Sequence, residues 1–342
     1  MYLLYAGRVD LASVTSGWVS YKEQAVANQT SVSEFLLLQF SEDRELQILH
    51  FVVFLVMYLA TVTGNLLIIT AVAFDRHLHT PMYLFLMNLA MQDLGQVTVI
   101  IPQMIMNSLM NTRHISFSGC VAQVLFFLFF SASDLSLLTV MAYDRYVAIC
   151  NPLQYEMVMN RQTCIQMVAS VWVTGLFYGV LHAGGTFASP FCSNVVNQFF
   201  CEIPQLLKLT CSDLYLIEIN VVALSAVAGL GCFIFILVTY VYIFSTVLRM
   251  PSVQGRQKAF STCLPHLTVV SIFLFTGCFA YLKPTSNIPS HLDVAFSMIY
   301  SMVPPMMNPL IYSMRSKEIQ VSLSKLLGLR HTSKTIIFNI LL

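Results

Sequence analysis

The chain has 342 residues, of which 57% are apolar and only 10% charged, with 17 basic and 16 acidic side chains and a formal net charge of +1. Soluble domains carry about 25% charged residues, so no soluble fold could cover this much apolar side chain. Neither the charge balance nor any basic cluster points to nucleic acid, and no nucleophile–base constellation or phosphate loop points to an enzyme.

Residues 1–47, which precede the first long apolar run, are expected to form an extracellular tail, and their first 26 residues are expected to be an atypical extension of it. Those 26 lack the continuous apolar core and cleavage pattern of a secretory signal. Asn28-Gln29-Thr30 is a glycosylation sequon, meaningful if this end lies outside the cell. Seven runs then approach the ~20 residues needed to cross a bilayer: Ile48–Phe74, Met82–Gln103, Phe117–Tyr143, Cys164–Ala183, Leu214–Leu248, Phe260–Leu282 and Leu292–Met314. Lipid offers no partner for open backbone groups, so every run is predicted to be helical. The fold class is an all-α, seven-transmembrane helix bundle over 48–314, with a cytoplasmic tail over 315–342. Eleven of the seventeen Lys and Arg fall on one side if the N-terminus is outside, which fits the positive-inside rule.

The first run holds Gly64-Asn65, where a buried amide needs partners and reads as an interhelical tie. Pro81 opens the second helix at its first turn. Asp93 in the second run and Asp134 in the third are acids inside apolar spans, and therefore functional candidates. If the two are close, both cannot stay ionised without a cation. A Na⁺ ion, a shared proton, or two separately hydrogen-bonded acids would satisfy them. Eleven residues after Asp134, three turns along the same face, the third run closes with Met-Ala-Tyr-Asp144-Arg145-Tyr146-Val-Ala-Ile-Cys-x-Pro-Leu-x-Tyr155. Asp144 and Arg145 at a membrane edge are costly unless partnered.

There are nine Cys. Cys120 opens the third run, and Cys192, Cys201 and Cys211 fall in a long outer loop, where an oxidising compartment favours bridges. Sequence alone allows three pairings of these four. No transition-metal site is expected, because no Cys or His pair has ligand spacing. Trp172 reads as packing. The fifth run ends near Tyr240, an interfacial anchor or a partner for Arg145. Lys258-Ala-Phe-Ser-Thr-Cys-Leu-Pro265-His266-Leu leads into the sixth, where His266 is either packing or a proton-sensitive tie. The seventh ends in Asn308-Pro309-Leu-Ile-Tyr312, a kinked and bistable helix end. Residues 315–329 suit a short amphipathic helix on the membrane face.

Asp144-Arg145-Tyr146 with its following residues, Leu78-His-Thr-Pro-Met-Tyr83, Lys258–Leu267 and Asn308–Tyr312 resemble the rhodopsin-like G-protein-coupled receptors, and the odorant-receptor branch in particular. The resemblance implies a seven-helix receptor for a small volatile or lipophilic molecule, coupled to an olfactory stimulatory G protein and cyclic AMP. It implies residence in the plasma membrane, in olfactory cilia, with lipid as a further partner and no cofactor beyond a Na⁺ ion in the bundle. It implies that Asp144 restrains Arg145 at rest, and that Arg145, Tyr146, Tyr240, Lys258, His266, Asn308, Pro309 and Tyr312 serve the switch. It implies bridges Cys120–Cys201 and Cys192–Cys211, and Na⁺ or a proton between Asp93 and Asp134. Finally, it implies a pocket of Phe127, Leu128, Ser131, Ala132, Leu224, Cys278, Tyr281 and Met298. That set is nearly all apolar, so one hydrogen bond from Ser131 or Tyr281 and micromolar affinity are expected for a ligand of ~10 heavy atoms. The alternatives are a similar receptor that senses a metabolite outside the nose, or a seven-span transporter or channel, which would call for broken helices or charged residues along a path.

Overall fold

A computed structural model describes residues 32–39, 41–211, 215–282 and 291–326. Asn28 and the extension lie outside the described residues, as do the side chains of Lys258, Cys278 and Tyr281. Seven long helices form the bundle: α1 (Arg44–Phe74), α2 (Pro81–Met110), α3 (Phe117–Cys150), α4 (Arg161–Phe187), α5 (Tyr215–Arg249), α6 (Val253–Leu282) and α7 (His291–Arg315). A shorter α8 (Lys317–Leu326) follows. Among the described residues, α1 to α5 are each long and apolar enough to cross a membrane.

Local chemistry sets the helix ends. The Asp43 carboxylate accepts from the Glu45 amide, the Ser116 hydroxyl from Gly119, and the Asn160 side chain from Thr163, so donors with no intrahelical partner are satisfied at three N-termini. Pro81 starts α2 where a missing N–H costs nothing. Asn111, at φ 53°, closes α2 in the left-handed conformation that Asn tolerates. The helices overrun the apolar runs. α3 continues past Tyr143 to Cys150, so Asp144 and Arg145 stand two turns inside it rather than at its mouth. Hydropathy measures what lipid accepts, whereas the backbone ladder continues until a cap or proline stops it.

α3 is the axis of the bundle and touches α2, α4, α5 and α6, while α7 closes the ring against α1, α2 and α6. Two apolar cores stack along it. One, around Leu89, Leu137, Met141 and Tyr312, fills the Arg145 end. The other, around Phe35, Ile101, Phe127 and Phe200, fills the opposite end. There the segment before α1 forms β1 (Glu34–Leu36), antiparallel to β2 (His114–Ser116), with Phe35 opposite Ile115. Leu36 also pairs with the long loop, donating to the Asn194 carbonyl and accepting from Val196, both at 2.8 Å. This segment is thus woven into the cap, with Phe35 fully buried.

The tightest helix contact is between α3 and α4, and two glycines permit it. A Cβ at Gly179 would lie 2.5 Å from the Leu125 carbonyl oxygen, and one at Gly175 would lie 2.8 Å from that of Phe129. Backbone cannot yield as a side chain can. A Cβ at Gly184 meets nothing within 4 Å. Gly179→Val should therefore destabilise the bundle by about 1–3 kcal/mol, the usual cost of overpacking. Gly184→Ala should leave the thermal unfolding midpoint of the purified protein unchanged. Equal midpoints for the two variants would contradict this packing.

Candidate functional site

At one end of α3 a carboxylate is enclosed by two donors. Asp144 is 1% exposed. Arg145 donates to its Oδ2 through Nε at 2.9 Å and through a terminal guanidinium nitrogen as well. Tyr155, in the one-turn helix Tyr155–Val158, donates its hydroxyl to Oδ1 at 2.8 Å. Both carboxylate oxygens are therefore engaged, one by a cation and one by a phenol. Burial, and then the Asp144 charge, push the Tyr155 hydroxyl above the ordinary phenol range, so Tyr155 remains a donor. Nothing in the sequence signals this role. Tyr155 lies eleven residues from Asp144, and only the loop turn at Pro152–Gln154 brings it back.

Around this centre, Met82, Met141, Thr262, His266 and Tyr312 line a small cleft with Asp144 and Arg145. His266 joins three helices. Its Nε2 lies 3.0 Å from the Leu138 carbonyl of α3, which can only accept, so Nε2 donates. Its Nδ1 shares a 2.7 Å hydrogen bond with the Tyr240 hydroxyl of α5. Tyr240 thus pairs with His266 and not with Arg145. Tyr146 faces away from the cleft, edge-on to Tyr242 at 6.2 Å.

Halfway along the bundle, Asn308 donates to both oxygens of Asp93 at 3.0 Å. Asp134 is buried nearby, close enough for its charge to act on Asp93. Its Oδ1 and the Asn308 Oδ1 have no hydrogen-bond partner. Two buried acids, one of them with an oxygen that has no partner among the described residues, fit a hard cation or a shared proton. Pro309 is buried beside them, and Tyr312 is 2% exposed with an unpartnered hydroxyl. Asn65 ties α1 to α7 through the Pro305 carbonyl at 3.2 Å. Trp172 packs on Phe129 and also donates to Asn88 at 3.1 Å.

At the far end, disulfides join Cys120 to Cys201 and Cys192 to Cys211. Gln123 reinforces the first, accepting from the Cys201 amide at 2.8 Å and donating to the Val99 carbonyl at 3.1 Å. Beneath this cap, Phe127 packs against Phe200 and Tyr300 at 5.7 and 5.9 Å. Leu128 is buried beside it, Ser131 and Ala132 are half-buried one turn along, and Met298 packs against the same core. Leu224 does not join them. It is 69% exposed, on the outward stripe with Val227, Ile234, Val238 and Val241. α5 is apolar all round, so its sequence carries no periodicity from which to set its rotation. One acid comes close to this region. Glu202 accepts from the Tyr300 hydroxyl at 2.8 Å, a contact that no sequence spacing signals.

α8 buries Ile319, Ser322 and Leu323 and lies against α1. Lys325 reaches Asp75 at 3.7 Å, and Asp75 accepts from the His77 amide at 3.1 Å. That amide holds the Asp75 carboxyl below the ordinary carboxylate range, with Lys325 adding to it. A lowered value means the tie is complete above the ordinary range and fades only as pH falls through the lowered one. Hydrogen exchange of α8 should therefore be independent of pH between 5 and 7 once intrinsic rates are removed. Asp75→Asn should speed it across that range; unchanged exchange in the variant would remove the tie.

A family model described as olfactory receptor matches residues 54–330. Human olfactory receptor 14A16 is 48% identical over 90% of this chain and 100% of its own length. Human olfactory receptors 14I1 and 14J1 are 49% and 48% identical, over 87% and 89% of this chain and 96% and 95% of theirs.

Proposed function

The chain belongs to the olfactory receptor family, and from that premise we propose that it binds a small, neutral, lipophilic odorant between its helices and activates a stimulatory olfactory G protein, raising cyclic AMP. Membership makes it a multi-pass membrane receptor and not an enzyme. The disulfide end faces outside in this reading, because bridges form in oxidising compartments and Lys and Arg favour the other side. Asn28 then carries a glycan, and cilia of olfactory neurons are the destination.

The observation that carries the signalling mechanism is the doubly held Asp144 carboxylate. At rest its charge fixes Arg145, which cannot then reach a G protein. Hydrogen bonds to charged groups are worth about 1.5–3 kcal/mol each, so a ligand must favour the open state by a comparable margin. The ligand end supplies that difference through the apolar wall of Phe127, Leu128 and Met298, with Ser131 or Tyr281 giving the polar contact. Asn308, Pro309 and Tyr312 form the segment of α7 that rearranges, and Tyr240, once it leaves His266, becomes available to Arg145. Lys258 adds positive charge at the G-protein face. Na⁺ or a shared proton between Asp93 and Asp134 stabilises the resting arrangement.

Two substitutions test the lock in cells that supply the olfactory G protein. Arg145→Ala should abolish odorant-stimulated cyclic AMP while surface display stays near that of the parent. Tyr155→Phe removes one of the two ties and should raise basal cyclic AMP severalfold. Full signalling by the first, or an unchanged baseline in the second, would contradict the proposal. An epitope at the N-terminus should be labelled on intact cells; labelling only after permeabilisation would reverse the orientation.

A further inference from the structure

Gln96 is a long amide on the face of α2 turned into the bundle, only 2% exposed. Its Nε2 lies 3.0 Å from the Ser301 carbonyl of α7. A carbonyl oxygen only accepts, so this contact fixes which end of the amide is which. Oε1 therefore points elsewhere, and it has no hydrogen-bond partner among the described residues. Gln92, one turn along α2, does not close on it, for both of its own amide atoms are unpartnered too. A buried acceptor left unmet carries its whole desolvation cost, whereas Leu or Met would fill the same space with none. The amide at this position calls for something that brings a donor to it.

The contacts on either side of Gln96 set its depth. Gln123 of α3 donates to the Val99 carbonyl of α2 at 3.1 Å, and Gly95 lies against the Phe130 ring. The two helices run antiparallel, so Gln96 comes level with Phe127, between those contacts. α7 agrees, since Ser301 follows Tyr300, whose ring is 5.9 Å from that of Phe127. Val97, Ile100, Phe127, Tyr300 and Met302 belong to one apolar core, and the Ser301 hydroxyl is spent on the Met298 carbonyl at 3.2 Å. A lone water needs roughly two to four polar partners, which the described side chains of this layer do not offer.

We propose that Gln96 selects odorants carrying a neutral hydroxyl, an alcohol or a phenol, by accepting a hydrogen bond from it at Oε1; this rests on the odorant reading above and adds the ligand's class to it. A ketone, ester or ether of the same shape has no hydrogen to donate and leaves Oε1 unmet. An ionised carboxylic acid has none either. An ammonium group does donate, but its charge would be buried without a counter-charge at this level. Glu202 is a turn further out, next to Cys201, whose amide Gln123 holds at 2.8 Å, and its Oε1 already accepts from Tyr300. A hydroxyl also accepts, so the contact from Ser131 or Tyr281 is kept.

The test measures binding rather than signalling, with the full-length receptor in cell membranes and a photoreactive octanol bearing a diazirine, about ten heavy atoms in size. Adducts should map beside Phe127 and Tyr300. Unlabelled octanol should displace the probe at about one-tenth the concentration needed for its methyl ether, the equivalent of one net hydrogen bond. In Gln96→Met the two should displace it equally. A loss of packing alone would weaken both and leave their ratio unchanged. If Gln96→Met fails to reach the surface, Gln96→Asn, which withdraws the oxygen by one methylene, should shrink the ratio in the same way. Equal displacement in the parent, or an unchanged ratio in the displayed variant, would overturn the assignment and leave the odorant reading standing. Adducts confined to the lipid-facing side of the helices would count against a ligand between the helices, and so against the reading on which the assignment rests.

Discussion

A single buried carboxylate organises the Arg145 end of this bundle. Asp144 is enclosed two turns inside α3 and almost fully buried, a setting in which an anion persists only with partners. It has two, and they come from different parts of the chain: the adjacent Arg145 and the loop residue Tyr155. The arrangement also accounts for the company around it. Arg145 is only 13% exposed and shares its cleft with Tyr312 and His266, so movement of α6 or α7 reaches the ion pair directly. Removing either donor leaves the other holding an incompletely satisfied charge, and such a site can occupy two states rather than drift between them.

The rest of the bundle keeps that centre in register. α3 carries Asp144 at one end and Cys120 at the other, and its path is fixed by the two glycine contacts with α4. At the far end the disulfide and Gln123 fasten the long loop to the same helix. The cap, the apolar core beneath it and the Asp93–Asn308 contact therefore hang on one rod. In the proposed pocket, Phe127 is eighteen residues, about 27 Å of helix, from Arg145, and any coupling across that distance would have to be carried by packed helices rather than by a through-space field.

Much of this was legible in the sequence. Seven long apolar runs specify the bundle, and the Asp144–Tyr146, Lys258–Leu267 and Asn308–Tyr312 motifs resemble the family to which the chain belongs. What was hidden has common physical causes. The resemblance puts Leu224 in the pocket, and an apolar helix offers no phase against which to check that; the residue turns outward. Tyr155 and Gln123 act across loops and between helices, where spacing along the chain says nothing about distance. Trp172 looked like plain packing, since an indole donates a hydrogen bond only if a neighbour such as Asn88 is in reach. The extension of α3 beyond its apolar run was invisible for a further reason: lipid crossing and helix length are set by different interactions.

The claim that Asp144 is the shared anchor is best tested by a double-mutant cycle on basal cyclic AMP. Asp144→Asn, Tyr155→Phe and the double variant are compared at equal surface display. If Tyr155 acts only through Asp144, the double variant should signal at the level of Asp144→Asn alone. Additive increases in the double variant would show that the two residues restrain the receptor separately, and would contradict the shared anchor.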